Sequence, residues 1–127
     1  MTQPVLSRAD IDHHLSQRPL DLDPGGYFII TLDRDNEVIC AQYYTNVIDN
    51  RGVACDPVTG KPIPVRGGDR RLPTAAFTGR TAKELCVAIF ETAQPCPVTQ
   101  LNHAAYLGRE FQRAELALVS GQDYIQD

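Results

Sequence analysis

A chain of 127 residues has the size of one domain and can bury one hydrophobic core. Its 43% apolar and 22% charged residues are the composition of a globular protein, which excludes disorder as the default. The net charge of −4 argues against a nucleic-acid or anionic-membrane binder, because both call for a basic surface.

The start Met1-Thr-Gln-Pro-Val-Leu-Ser-Arg-Ala-Asp10 has no apolar core of a signal peptide. No apolar run approaches the roughly 18 residues of a membrane helix. Cys40, Cys55, Cys86 and Cys96 include no C-x-x-C pair, so neither a zinc site nor a redox motif is signalled. A single cytoplasmic domain over residues 1–127 follows as the expectation, with free thiols, no disulfide, no structural metal and no cofactor.

In chain order, Ser7-Arg-Ala-Asp10 reads as a capped start, and a short N-terminal helix is expected to end near Gln17, before Pro19. His13 and His14 lie on it about 100° apart, which suits surface positions better than a shared metal. Asp21-Leu-Asp-Pro-Gly-Gly26 is a turn. Residues 27–33 and 38–45 are rich in β-formers and flank the polar loop Arg34-Asp-Asn-Glu37, which predicts a hairpin. The apolar run at 27–30 calls for cover on both faces, or nearly so.

Residues 46–74 are punctuated by glycine and proline and carry no clear period. Such a stretch is a solvated loop, a lid or partly disordered. Val47 to Val53 can extend a strand, and Val58 to Ile63 can form a small turn. Arg66, Arg70 and Arg71 can alternatively clamp an anion. Ala75-Ala-Phe-Thr78 reads as a short strand. Thr81-Ala-Lys-Glu84 is a capping box for a helix that stops before Pro95.

The longest helix is expected behind Thr99, ending at Gly121. On a wheel of 100° per residue, Leu101, Ala104, Ala105, Leu107, Gly108, Phe111, Ala114 and Leu118 form a broad apolar arc. His103, Tyr106, Arg109, Glu110 and Arg113 lie opposite. A polar stripe of this kind is ordinarily a solvated face, and alternatively a ligand or partner surface. Gly108 costs about 1 kcal/mol against Ala inside a helix, and its missing side chain allows another backbone to come close. Glu115 falls within the apolar arc, where a carboxylate must be paired or hydrogen-bonded, either at the rim, capping a neighbouring turn, or at a pocket. The tail Tyr124-Ile-Gln-Asp127 is expected to be ordered, with Tyr124 and Ile125 packed on the core.

The run His103-Ala-x-Tyr-Leu-Gly-Arg-Glu110, then Ala114-Glu115-x-Ala-Leu118, Gly121 and Tyr124-x-Gln-Asp127, resembles the C-terminal signature of an uncharacterised domain family. That family occurs as small standalone cyanobacterial proteins and, in archaea, behind a dihydropteroate-synthase-like pterin-binding barrel. Asp23-Pro-Gly-Gly-Tyr-Phe28 is similar to its opening turn and strand. The resemblance leads one to expect Leu where Phe111 stands, and a standalone form without the barrel is the expectation here. The resemblance implies a context of pterin or one-carbon metabolism and carries over no catalytic residue.

These readings combine into an α+β domain: a small antiparallel sheet around the 27–33/38–45 hairpin, covered by two C-terminal helices. Its expected role is a binding or accessory domain that recognises an anionic small molecule or a metabolic enzyme. His103, Arg109 and Glu110 would line the site and Glu115 would support it from behind. The alternatives are a self-associating subunit, such as a homodimer, or a small enzyme using a His/Glu acid–base pair. No residue spacing matches a catalytic motif.

Overall fold

The computed structural model describes Asp23, residues 25–63 and residues 69–127. The helix expected near Ser7 and Arg66 of the basic loop lie outside these residues.

The hairpin forms where the β-formers stand. Strand β1, Gly26–Asp33, runs antiparallel to β2, Val38–Thr45, in a register from Gly26↔Thr45 to Asp33↔Val38. The Asp33 carboxylate turns the loop by accepting from the Asn36 amide at 3.2 Å and from its side chain at 2.7 Å. Phe28 and Ile30 on β1 share one face with Ile39, Ala41 and Tyr43 on β2, as alternation requires. On the other face Tyr27 stacks on Tyr44, with ring centroids 5.7 Å apart.

Residues 46–63 are organised by short aspartate turns. Strands β3, Val47–Ile48, and β4, Ala54–Cys55, pair antiparallel. The Asp49 carboxylate closes their connection by accepting from the amides of Arg51 and Val53. Asp56 does the same for Val58. Strand β5, Ala75–Gly79, joins the main sheet beside β2 and gives the order β1-β2-β5.

Helix α1, Ala82–Cys86, starts on the capping box: Thr81 Oγ accepts from the Glu84 amide at 3.1 Å. The reciprocal arm reaches one residue further back than expected, with Glu84 accepting from the Arg80 amide at 2.7 Å. The chain then widens into a π-helical turn, Val87–Thr92, in which the Ala93 amide donates to the Ala88 carbonyl. A cis Gln94–Pro95 bond leads into helix α2, Leu101–Ser120, which ends at Gly121 with a left-handed φ of 71°.

The result is the expected α+β architecture, a small antiparallel sheet with two helices laid on one face. Phe28, Ile39, Leu85, Ile89, Leu107 and Phe111 are its largest fully buried apolar side chains. Burial of each stabilises the fold by about 1.5–3 kcal/mol. The glycine that permits close approach is Gly26, where a Cβ would sit 2.6 Å from the Tyr44 carbonyl oxygen and would also meet the Tyr43 hydroxyl. At Gly108 an added Cβ would meet nothing within 4 Å among the described residues, none of which uses that gap.

Candidate functional site along the last helix

Helix α2 does not bury the arc that a wheel selects. Its buried residues are His103, Tyr106, Leu107, Glu110, Phe111, Ala114 and Ala117. Their mean direction is rotated roughly 95° from the apolar arc toward the polar stripe, at 100° per residue. The expectation of a solvated face is therefore overturned for His103, Tyr106 and Glu110. In exchange Leu101, Leu116 and Val119 stand 83%, 68% and 79% exposed.

The first polar group is built around Asp23, which arrives from the turn before β1. Its buried carboxylate accepts from the Thr99 amide at 3.0 Å, the Thr99 hydroxyl and the Gln100 amide at 3.3 Å. His103 Nδ1 lies 2.8 Å from the same carboxylate, and an ionised carboxylate only accepts, so that nitrogen carries the proton. Burial opposes the charge on Asp23, but the hydrogen bonds from Thr99, His103 and Gln100 outweigh it and hold its pKa below the usual 3.8. The helix start thus has an anion, supplied by the chain itself. The helix starts behind Thr99 as expected, but the Thr99 hydroxyl donates to Asp23, and Gln100 stands at the cap without a side-chain bond.

The second group is built around Glu110, which is fully buried. It accepts from Arg113 at 2.5 Å, the Tyr124 hydroxyl at 2.8 Å, the Asp127 amide at 3.0 Å and Arg109 Nε at 3.3 Å. Burial first, and then the carboxylate it donates to, push the Tyr124 hydroxyl far above its ordinary pKa. Arg109 is half exposed, lies over the Tyr106 ring and approaches Asp127 at 3.6 Å. The tail is ordered as expected, and Tyr124 packs against the core, whereas Ile125 stays 49% exposed.

Glu115 has a third role. Its Oε1 accepts from the Ala82 amide at 2.6 Å, so this carboxylate of α2 serves the positive end of α1. Of the four predicted residues, the structure joins Arg109 to Glu110, sets His103 on Asp23 and sets Glu115 on α1. Sequence reasoning missed Asp23 and Gln126 as partners of this helix. The only available signal was an aspartate before a glycine turn and a tail within the family signature.

Two further features lie away from α2. The Tyr27 hydroxyl donates to Asp69, and the Arg71 guanidinium also grips Asp69, at 2.7 Å, and approaches Asp56 at 3.6 Å. Although burial opposes it, these bonds hold Asp69 at a pKa of about 2. Arg71 was a candidate for an anion clamp and is instead neutralised by these two aspartates, while Arg70 is exposed. A shallow, largely apolar cleft of about 520 Å³ runs between β5 and the α1/π segment, lined by Phe77, Lys83, Glu84, Val87, Ala88, Thr92 and Ala93. Among the described residues no helix is long and apolar enough to cross a membrane.

The family model described as PterinBD-DUF4346 matches residues 22–127. The chain belongs to this family. The matched region begins one residue before Asp23 and contains both carboxylate groups of α2. A Ycf91-like protein of Nostoc sp. is 65% identical over 119 residues, covering 94% of each chain. The uncharacterized protein ycf91 of Pyropia yezoensis is 34% identical over 112 residues, 88% of this chain and 79% of that one. An uncharacterized protein of Methanocaldococcus jannaschii is 33% identical over 103 residues, which are 80% of this chain but 14% of the archaeal one. No solved structure matches the chain.

Proposed function

We propose that this PterinBD-DUF4346 domain is a docking module, which attaches to a pterin-handling enzyme and serves it by contact. One observation carries the reading. The same unit makes up 94% of the Nostoc chain and 14% of the archaeal chain, where it is joined to a much larger body. A module that is covalently attached in one lineage and separate in another is expected to meet its partner by diffusion in the second. The family description, which couples the domain to pterin binding, supplies the partner's class.

The outward face of α2 supports this reading. Leu101, Leu116 and Val119 stand on it largely exposed, and Gly108 leaves open space between them. Exposed apolar groups gathered on one face mark interaction surfaces. Arg109 borders the face, and its fork suits an anionic group presented by the partner. Glu110 holds that guanidinium from behind, while His103 and Glu115 fix the helix at Asp23 and at α1. The carboxylates that an acid–base reaction would need are engaged in these contacts.

Sedimentation velocity of the chain mixed with a pterin-binding enzyme of the same organism tests the proposal. A micromolar or tighter complex is expected, with Leu116→Lys and Arg109→Ala each weakening it while the melting temperature holds. No complex at high micromolar concentration would sink the docking reading. A reduced pterin retained by the chain alone in native mass spectrometry would replace it with direct ligand binding.

A further inference from the structure

The C-terminal tail is held by a built polar site in addition to the packing of Tyr124 on the core. After Gly121 the chain turns back, and residues 124–127 lie between β1 and α2. Tyr124 alone packs against the core; Ile125 and Asp127 are exposed and Gln126 is half-buried, so apolar contact holds only the first residue of the tail. What it has besides is a set of directed bonds. The fully buried Glu110 carboxylate takes the Tyr124 hydroxyl and the Asp127 amide. The Tyr106 hydroxyl donates to the Asp127 carbonyl at 2.8 Å and accepts from Gln126 Nε2 at 2.9 Å. Arg113 reaches the Ile125 carbonyl at 3.5 Å.

Gln126 adds a contact of a different kind. Its Nε2 donates to the Phe28 carbonyl at 2.9 Å, and its Oε1 accepts from the Ile30 amide at 3.0 Å. A primary amide carries the same donor–acceptor pair as a peptide unit. It therefore occupies β1 as an added strand would, at what is the edge of the sheet among the described residues.

We infer that the groove between β1 and α2 is a peptide-binding site that recognises an extended Tyr-x-Gln segment, filled here by the chain's own tail. Glu110 reads the tyrosine, Tyr106 and the edge of β1 read the glutamine, and the position between them is left to solvent. The site survives without its occupant, because Arg113 and Arg109 belong to α2 and still satisfy Glu110 when the tail leaves. The tail of a second copy carries the same sequence and is the partner that fits in trans. This inference does not depend on the docking reading.

The test uses the full chain carrying Gln126→Ala and a labelled peptide of the sequence Gln-Asp-Tyr-Ile-Gln-Asp. The peptide is expected to bind this variant about tenfold more tightly than the parent chain, whose own tail competes better. The same peptide with its second Gln replaced by Ala is expected to bind neither. Hydrogen exchange at the Ile30 amide should quicken in the variant and slow again when the peptide is added. If Gln126→Ala fails to fold, Tyr124→Phe and the matching Phe peptide serve the same comparison. Absence of peptide binding to the variant, equal binding of the two peptides, or Ile30 exchange that the peptide leaves unchanged would overturn the inference.

Discussion

Asp23 and Glu110 are both buried carboxylates that meet α2, and they are satisfied by opposite means. Asp23 draws its partners from a segment 76 to 80 residues away: two backbone amides, a hydroxyl and an imidazole at the helix start. None of these exists as a set until the helix lies against the sheet. Glu110 takes half of its partners from its own helix, Arg109 and Arg113, and half from the tail 14 and 17 residues on. The first is a clamp that forms only with the whole fold. The second is partly local, so one side of it can open while the helix stays in place. A buried charge costs little when backbone dipoles or arginines surround it, and the choice between them decides whether the contact can be released.

The largest test is Asp23→Ala, which strands the helix-start donors and the buried His103. A loss of about 3 kcal/mol is expected in urea unfolding, from unsatisfied buried groups and a lost cap. A loss below ~1 kcal/mol would mean the clamp is ornamental. Removing residues 124–127 is expected to cost about 2 kcal/mol, since it withdraws partly buried Tyr124 and the bonds of Gln126. An unchanged melting temperature would show that the tail contributes nothing.

A double-mutant cycle sharpens the contrast. Glu110→Gln should cost less in the tail-deleted chain than in the parent, because the two share partners; Asp23→Asn should cost the same in both. If the two carboxylates behave alike in that cycle, the division between clamp and releasable lock fails.

Acid probes the clamp differently. The folded pKa of Asp23 lies below the unfolded 3.8, so its contribution is present above pH 3.8 and is lost as pH falls through the folded value. Asp69 follows the same sign, with its loss falling between 3.8 and about 2. Stability should fall across this window, and Asp69→Asn should flatten the slope. A slope identical to the parent's would exclude Asp69 as a contributor.

The smallest expected effect is a gain. Gly108→Ala should stabilise the chain by about 0.5–1 kcal/mol, because helix propensity improves and no described residue lies within 4 Å of the added Cβ. If that substitution also weakens a complex with a pterin-binding enzyme, the gap at Gly108 belongs to the partner. If it destabilises the isolated chain, Gly108 has an internal role after all.

Much of the architecture was legible because its causes are local. The β-formers flanking Arg34-Asp-Asn-Glu37 make a hairpin wherever they stand, and Thr81 with Glu84 starts a helix by bonds within one turn. Residues 46–63 were harder, since Asp49 and Asp56 organise them through amides two and four residues on without any hydrophobic period to betray it. The site was legible only in part. Glu115 could be recognised as a carboxylate needing a partner, but the partner, the Ala82 amide, lies 33 residues away.

By itself the sequence determined the class of the domain, the positions of the hairpin and both helices, and the family signature, because propensity, capping and alternation act over a few residues. Which side of the last helix faces inward was decided only by tertiary structure. The wheel counts apolar side chains, and it favoured Leu101 and Ala105. The folded chain instead brings Asp23 to His103 and the tail to Glu110, and places β1 beside Tyr106 and Gln126. Once those partners supply hydrogen bonds, burying His103, Tyr106 and Glu110 ceases to be costly, and Leu107, Phe111 and Ala114 go in with them.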